Sequence, residues 1–436
     1  MTFVFALINL LLLCIGCAML LGRCIADLGR PLKLITGCII ALVLVSWCYY
    51  LLLVIGIPLW GLLIVLTLAN AAHIYWGRSL QILSVGNFYI ARPKQTLILL
   101  VSLFSIVLYF IFFQSKHGDW DAWSIWNLHA KFMADPRHWR NMFAPELNYS
   151  HRDYPLMLPS VVGYLWNSLG NCTANVPLLF ALLVAFSIPV ATYFSLAADH
   201  DKRTYACLAV LLFAVDSNFK LIASYQGADT LLSLFILLSV AYLLRQVSAS
   251  GNQIGIAAFM AASGTWVKNE GWLFFVVFTL AFLIRNYRSA GLIKKYAIGA
   301  ALPLIVSLSF KLFYAPANDL VAAGGKSLLT YIKDPARYIA IIKFILVALT
   351  GRYILLTAVL MTALILCRRY FVSSTFMILA LVFMGYMVVY LTTPYGLDWH
   401  LTTSFDRVLQ HLCPSLIFSM LYYVAEKYPL KEKRDG

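Results

Sequence analysis

Apolar runs long enough to cross a bilayer recur from one end of this chain to the other, beginning with "FVFALINLLLLCIGCAMLLG" directly after the second residue. A helix needs about 20 predominantly apolar residues to span the hydrocarbon core. Of the 436 residues, 62% are hydrophobic and only 12% charged, where a soluble chain carries about a quarter charged. The mean hydropathy of +0.83 agrees. The expected fold is all-α, a polytopic membrane helix bundle of about 13 spans. The first run has no basic segment before it and is followed by Arg23 rather than a small-residue cleavage site, so it reads as a retained span and not a signal peptide.

The net charge of +15 does not imply nucleic acid, because most Lys and Arg lie in short loops between apolar runs. Arg23, Arg30 and Lys33 form one such group, followed by Arg78, Arg92 and Lys94, Lys202 with Arg203, Arg285 to Lys295, Arg368 with Arg369, and the tail "KEKRDG". The positive-inside rule assigns these to the cytoplasm, with the N-terminus outside and the C-terminus inside. Within this scheme "YIAIIKFILVALTG" is either a span or an interfacial segment. The nine cysteines show no CxxC or CxxH spacing, so neither a metal site nor a disulfide framework is indicated.

The opposite face then receives the loop 115–155, "DSNFKLIASYQGAD", the "KNEG" break, the loop 314–337 and "TTPYGLDWHLTTSFDR". Function is expected to face outward. No internal repeat or soluble domain is visible. Residues 1–95 hold three spans without an assigned role, and 96–436 form the remaining module.

Each polar island has a bland and a sharp reading. In "DWDAWSIWNLHAKFM", Trp123, Trp126, Ala130 and Met133 recur at helical spacing, which predicts an amphipathic helix along the membrane surface. Asp121 opens that helix, either as an N-cap or as a catalytic carboxylate, and Asp119 has the same two options. The tryptophans serve as membrane anchors, as a sugar platform, or as both. The loop closes in "HRDYPLMLP", where His151, Arg152 and Asp153 are either a solvated loop end or substrate contacts. His117, Asp119, Asp121 and His151 are metal-ligand types without diagnostic spacing, so a divalent metal is possible but not indicated, and no cofactor is expected. Asp229 starts a span, where an acid gains from the helix dipole, yet acids that enter a membrane protein are functional by default. Lys268 and Glu270 interrupt two apolar runs, with Gly271 available for a bend. At the mouth of the last run stand Asp398, His400, Ser404, Asp406 and Arg407, and Arg407 shares a helix face with His411. An Arg and a His at that level suit a phosphate, either of a substrate or of lipid head groups.

This order of segments resembles the GT-C membrane glycosyltransferases, the group holding protein mannosyltransferases, aminoarabinose transferases and Rgt-type bacterial enzymes. "WDAWSIWNLHAKFM" looks like the loop motif in which an Asp precedes a short helix, "DYPLMLP" like the Pro-Pro-Leu segment with one of its two adjacent prolines, and "GADTLLSLF" like the second acidic motif. "KNEG" and "HLTTSFDR" match segments of bacterial members. The resemblance covers residues 96 to 414, and the order of its short motifs carries it. Asp119 and Asp121 are separated by Trp120 where many relatives have adjacent acids; Asp121 is favoured because it opens the helical segment.

The resemblance implies transfer of a sugar from a polyprenyl-phosphate donor to an acceptor hydroxyl on a lipid, glycan or protein, in a bacterial inner membrane. Phosphate is a good leaving group that wants cations more than a proton, so one carboxylate base suffices, unlike the two carboxyls of a glycosidase. Asp121, or else Asp119, is then the base, and a single displacement inverts the anomeric centre. Lys268, Arg407, His400 and Arg152 are candidates to stabilise the departing phosphate, with Asp229 and Glu270 orienting acceptor or cations. Two other readings stand beside this one. A secondary transporter places its charges near the bilayer midplane within repeated halves, and a lipid-linked glycan ligase or polymerase carries its long loop late in the chain.

Overall fold

The computed structural model describes residues 1–25, 29–76, 93–113, 115–197, 202–245, 251–318 and 328–430. Arg78 and Arg92, part of the loop 314–337 and the tail 431–436 lie outside the described residues. The described chain is helical without a strand. Its helices are α1 (Thr2–Cys24), α2 (Arg30–Ile55), α3 (Leu59–Trp76), α4 (Pro93–Phe112), α5 (Asn127–Ala134), α6 (Met157–Leu169), α7 (Asn175–Leu196), α8 (Arg203–Val215), α9 (Ser217–Ser224) and α10 (Ala228–Leu244). They continue with α11 (Asn252–Val267), α12 (Glu270–Asn286), α13 (Ala290–Phe313), α14 (Leu328–Ile332), α15 (Pro335–Thr350), α16 (Ile354–Leu366), α17 (Ser374–Thr392) and α18 (Leu397–Lys427).

Seven of these, α1, α2, α4, α7, α13, α17 and α18, are long and apolar enough to cross a membrane. The pairs α8–α9, bent by 65°, and α15–α16, bent by 88°, raise the number to nine if each is one broken span. Several long apolar helices of this kind mark an integral membrane protein. Helix α10 is the bundle's axis, with its side chains buried from Ala228 to Tyr242. At the start of α12, a side chain on Gly271 would run into the Gly264 backbone of α11. Gly271 therefore permits a close helix crossing; it lies within α12 and does not supply the bend read from the sequence.

The loops sort to two ends. At one, the Asp119 amide donates to the Tyr225 carbonyl at 3.2 Å, Asn269 and Asn318 each donate to Asp153 at 2.8 Å, and Arg337 donates to the Thr393 carbonyl at 3.0 Å. At the other, Asn252 reaches the Cys24 carbonyl at 2.9 Å, Arg245 the Ser195 carbonyl at 3.3 Å, Arg285 the Ser374 hydroxyl at 2.7 Å and Lys427 the Leu366 carbonyl at 2.7 Å. The acidic islands thus share one end, and the basic loops around residues 24, 202, 285 and 368 share the other.

Helix α15 does not run the length of the bundle. Arg337 near its start binds the Tyr390 and Thr393 carbonyls, and Tyr353 just past its end reaches Asp406 at 3.2 Å, so both ends stay at the acidic end.

Candidate functional site

Asp121 stands where a helix begins, but it is not a cap. Its backbone already has helical angles, φ −60° and ψ −32°, and its side chain makes no capping bond. The carboxylate turns instead to Arg407 of α18 and forms an ion pair with it. Both side chains are about one-fifth exposed, Asp121 at 22% and Arg407 at 20%, so the pair is reachable from outside.

Directly after Asp121, residues Ala122–Trp126 wind as a π-helix before α5 begins. The wider turn breaks the expected register: Trp126, Ala130 and Met133 are buried, while Trp123 is 53% exposed and packs edge-on against exposed Trp120. The single face drawn through Trp123 is therefore corrected, because a π-turn holds more residues than the 3.6 on which that face was drawn. Trp126 stacks on Tyr154 at 5.4 Å, which stacks on His151 at 4.8 Å. Asp119 is exposed, in a tight turn whose Gly118 has φ +75°. A side chain on Gly118 would lie 2.6 Å from the Tyr225 carbonyl, so the turn docks the loop onto the 225–226 segment.

Four charged or ionisable groups meet beneath that loop. Lys268, extended between α11 and α12, places its Nζ 2.6 Å from Asp229 Oδ1 and 3.1 Å from Glu270 Oε1. His411 Nε2 lies 2.8 Å from the same Asp229 oxygen, and its Nδ1 lies 3.2 Å from the Tyr386 hydroxyl. Lys268 and Asp229 are about 95% buried. Charges so deep persist only when paired and hydrogen-bonded, which is why one oxygen serves both Lys268 and His411. Asp229 sits in the first turn of α10, where the dipole also favours it.

Asp153 is no solvated loop end. It is 2% exposed, and its Oδ2 accepts from Asn269 and Asn318 at 2.8 Å each and from Lys311 at 3.3 Å. A carboxylate only accepts, so both amides must turn their nitrogens toward it. Arg152 donates to the Phe143 carbonyl at 2.8 Å and braces the loop's own backbone.

A cavity of about 350 Å³ opens among these elements. Lys268, Glu270, Arg407, His151 and His400 line it, together with Tyr154, Tyr386, Tyr390, Trp399 and Asn318. Asp121 reaches it through Arg407, and Asp229 stands behind Lys268. Asp153 adjoins it through Asn269 and Asn318, whereas Arg152 and Asp119 are not among its lining residues. His400 is held by a 2.9 Å contact with the Thr393 hydroxyl. Burial, then the nearby Glu270 and Asp121 carboxylates, push the Tyr154 phenol well above its ordinary value, so it stays a hydrogen-bond donor.

Lys311, Asn318, Tyr386, Tyr395 and Trp399 are parts of this site that the sequence reading did not single out. For Lys311 a signal existed, a lone cation at the end of the apolar "ALPLIVSLSFKLF". Among the described residues no three His, Cys, Asp or Glu gather as a metal-ligand set, His117, Asp119, Asp121 and His151 included. No known family model matches the chain, and neither a characterised protein nor a solved structure matches it.

Proposed function

We propose that this protein is a GT-C-like membrane glycosyltransferase of about 13 spans. In this reading it moves a sugar from a polyprenyl-phosphate carrier to an acceptor hydroxyl on the periplasmic face of a bacterial inner membrane. The observation that carries the reading is the Asp121–Arg407 pair beside a 350 Å³ cavity that also holds Lys268 and His400. It unites a carboxylate and phosphate-binding cations at the end of the bundle away from the basic loops. The acceptor oxygen attacks the anomeric carbon as its proton passes to Asp121. The bond from that carbon to the phosphate oxygen breaks, and its electron pair leaves with the phosphate toward Arg407 and Lys268. Arg407 is held by Asp121 before the donor arrives, so an incoming phosphate competes for the guanidinium and releases the base. The N-terminal helices α1 to α3 have no role assigned in this reading.

A proton-coupled transporter is the second reading, favoured by the buried Asp229–His411 contact inside the bundle. Membranes carrying the protein are given radiolabelled polyprenyl-phosphate sugar, and sealed vesicles are assayed in parallel for uptake. Carrier turnover that vanishes in Asp121→Asn supports the transferase; proton-driven uptake without turnover removes it. Mass spectrometry of membrane glycolipids with and without the gene then names the acceptor.

A further inference from the structure

We propose that Tyr395 and Trp399 form a stacking platform for a sugar ring of the acceptor, which makes the acceptor a saccharide; this rests on the transferase reading above. Both rings line the cavity. They meet edge-on at 5.9 Å, and His400 stands 6.1 Å from Tyr395. Trp399 is 60% exposed and Tyr395 37%. An indole offers a flat apolar face with a polar edge, which matches the C–H face and hydroxyl rim of a pyranose. The exposed Trp120–Trp123 pair, free for the usual anchoring task of interfacial tryptophan, is not among the cavity's lining residues, whereas Trp399 is.

Position along α18 decides whose sugar the platform holds. Trp399 precedes Arg407 by eight residues on that one helix, so at about 1.5 Å per residue their backbones are about 12 Å apart along the axis. A donor sugar is bonded directly to its phosphate and stays beside Arg407 and Lys268. The ring at Trp399 therefore belongs to the other substrate, whose reacting hydroxyl extends toward Asp121. Thr403, one turn below Trp399, lines the wall between them. Its hydroxyl proton is committed to the Trp399 carbonyl at 2.8 Å, which leaves its lone pairs for a sugar hydroxyl.

The test uses the full-length protein in lipid nanodiscs. Saturation-transfer NMR is run with methyl β-glucopyranoside, methyl β-galactopyranoside and methyl α-mannopyranoside, and with a Ser/Thr hexapeptide as the protein-acceptor arm. At least one pyranoside is expected to receive saturation at its ring C–H protons. Affinity should fall roughly threefold to tenfold in Trp399→Ala, as loss of one stacking contact implies, and return in Trp399→Phe. Tyr395→Ala serves as the second variant should Trp399→Ala fold poorly. The platform is overturned if no pyranoside binds, if neither alanine variant weakens binding, or if only the hexapeptide binds. Carrier turnover by the wild type without such binding sinks the platform alone. Trp399-dependent binding without carrier turnover sinks the transferase reading and leaves a saccharide site.

Discussion

Arg407 grips Asp121 across 286 positions of sequence, joining the last long helix to the loop 115–155. Nothing local requires this contact, since Asp121 caps no helix and Arg407 lies mid-helix in α18. In the transferase reading Asp121→Asn therefore lowers turnover by about 10²–10⁴-fold, the usual loss for a general base. The thermal midpoint should fall modestly, because Arg407, about four-fifths buried, loses its carboxylate partner although no cap is lost. Asp119→Asn, in an exposed turn, leaves turnover nearly unchanged. Carrier-lipid assays at matched expression decide between them, and equal activity of both variants would move the base elsewhere.

Lys268 answers two carboxylates at once, the buried Asp229 and the partly buried Glu270. Lys268→Met leaves both without their cation, and breaking a buried pair from one side costs about 3–5 kcal/mol. A marked drop in the thermal midpoint in nanodiscs is expected. Adding Asp229→Asn removes one stranded charge and should restore part of the loss. A double variant no more stable than Lys268→Met would show that the pair is not coupled.

Much of this arrangement was legible because lipid is a strict solvent: charges in apolar runs stand out, and Asp229, Lys268, Glu270 and Arg407 were found that way. Their partners were harder to read. His411 looked like a neighbour of Arg407 on one helix face, yet it binds Asp229, because tertiary contacts answer to depth in the bundle and not to spacing. The π-turn at Ala122–Trp126 left no mark, since a single wide turn changes register without changing composition. Trp399 and Tyr395 resemble the aromatic belt of any membrane protein, and only the cavity beside them distinguishes them. Asp153 looked solvated beside His151 and Arg152, but the cations and amides that bury it come from α13 and from the segments around it.

His129 should make the loop 115–155 sensitive to acid. Its ring is fully buried, and Nε2 meets the Ser150 hydroxyl at 3.2 Å. That hydroxyl donates to the Leu147 carbonyl, so Nε2 carries the proton and the solvent-shut Nδ1 has no partner for a second one. Burial, with nearby His151 adding to it, pushes the imidazole down to about 3 from 6.5. Below pH 6.5 the unfolded loop binds a proton that the folded loop refuses. The stability His129 contributes is complete above 6.5 and falls as pH drops toward 3, by at most about 1.4 kcal/mol per pH unit. Hydrogen exchange across residues 127–150, corrected for intrinsic rates, should quicken between pH 7 and pH 5. In His129→Gln, which keeps a donor for Ser150, that acid response should flatten; an unchanged response would place its origin elsewhere.

Asp153 tests whether the site's geometry is imposed from behind. Its carboxylate holds Asn269, and Asn269 lies between Lys268 and Glu270, so the hub fixes the backbone that presents both charges to the cavity. Asp153→Asn keeps the shape but gives one carbonyl oxygen the work of a carboxylate, and it leaves the Lys311 cation unbalanced in a half-buried site. In the transferase reading kcat should fall by roughly tenfold, since small misplacement of a charged group is felt in the transition state. The donor KM should move less, because Lys268 and Arg407 remain. Lys311→Met in the same chain removes the unbalanced cation without restoring the carboxylate's grip on Asn269. The double variant should therefore regain thermal stability over Asp153→Asn while kcat stays low. Recovery of kcat together with stability would mean that Asp153 only balances Lys311, and that Asn269 needs no anchor to hold its neighbours in place.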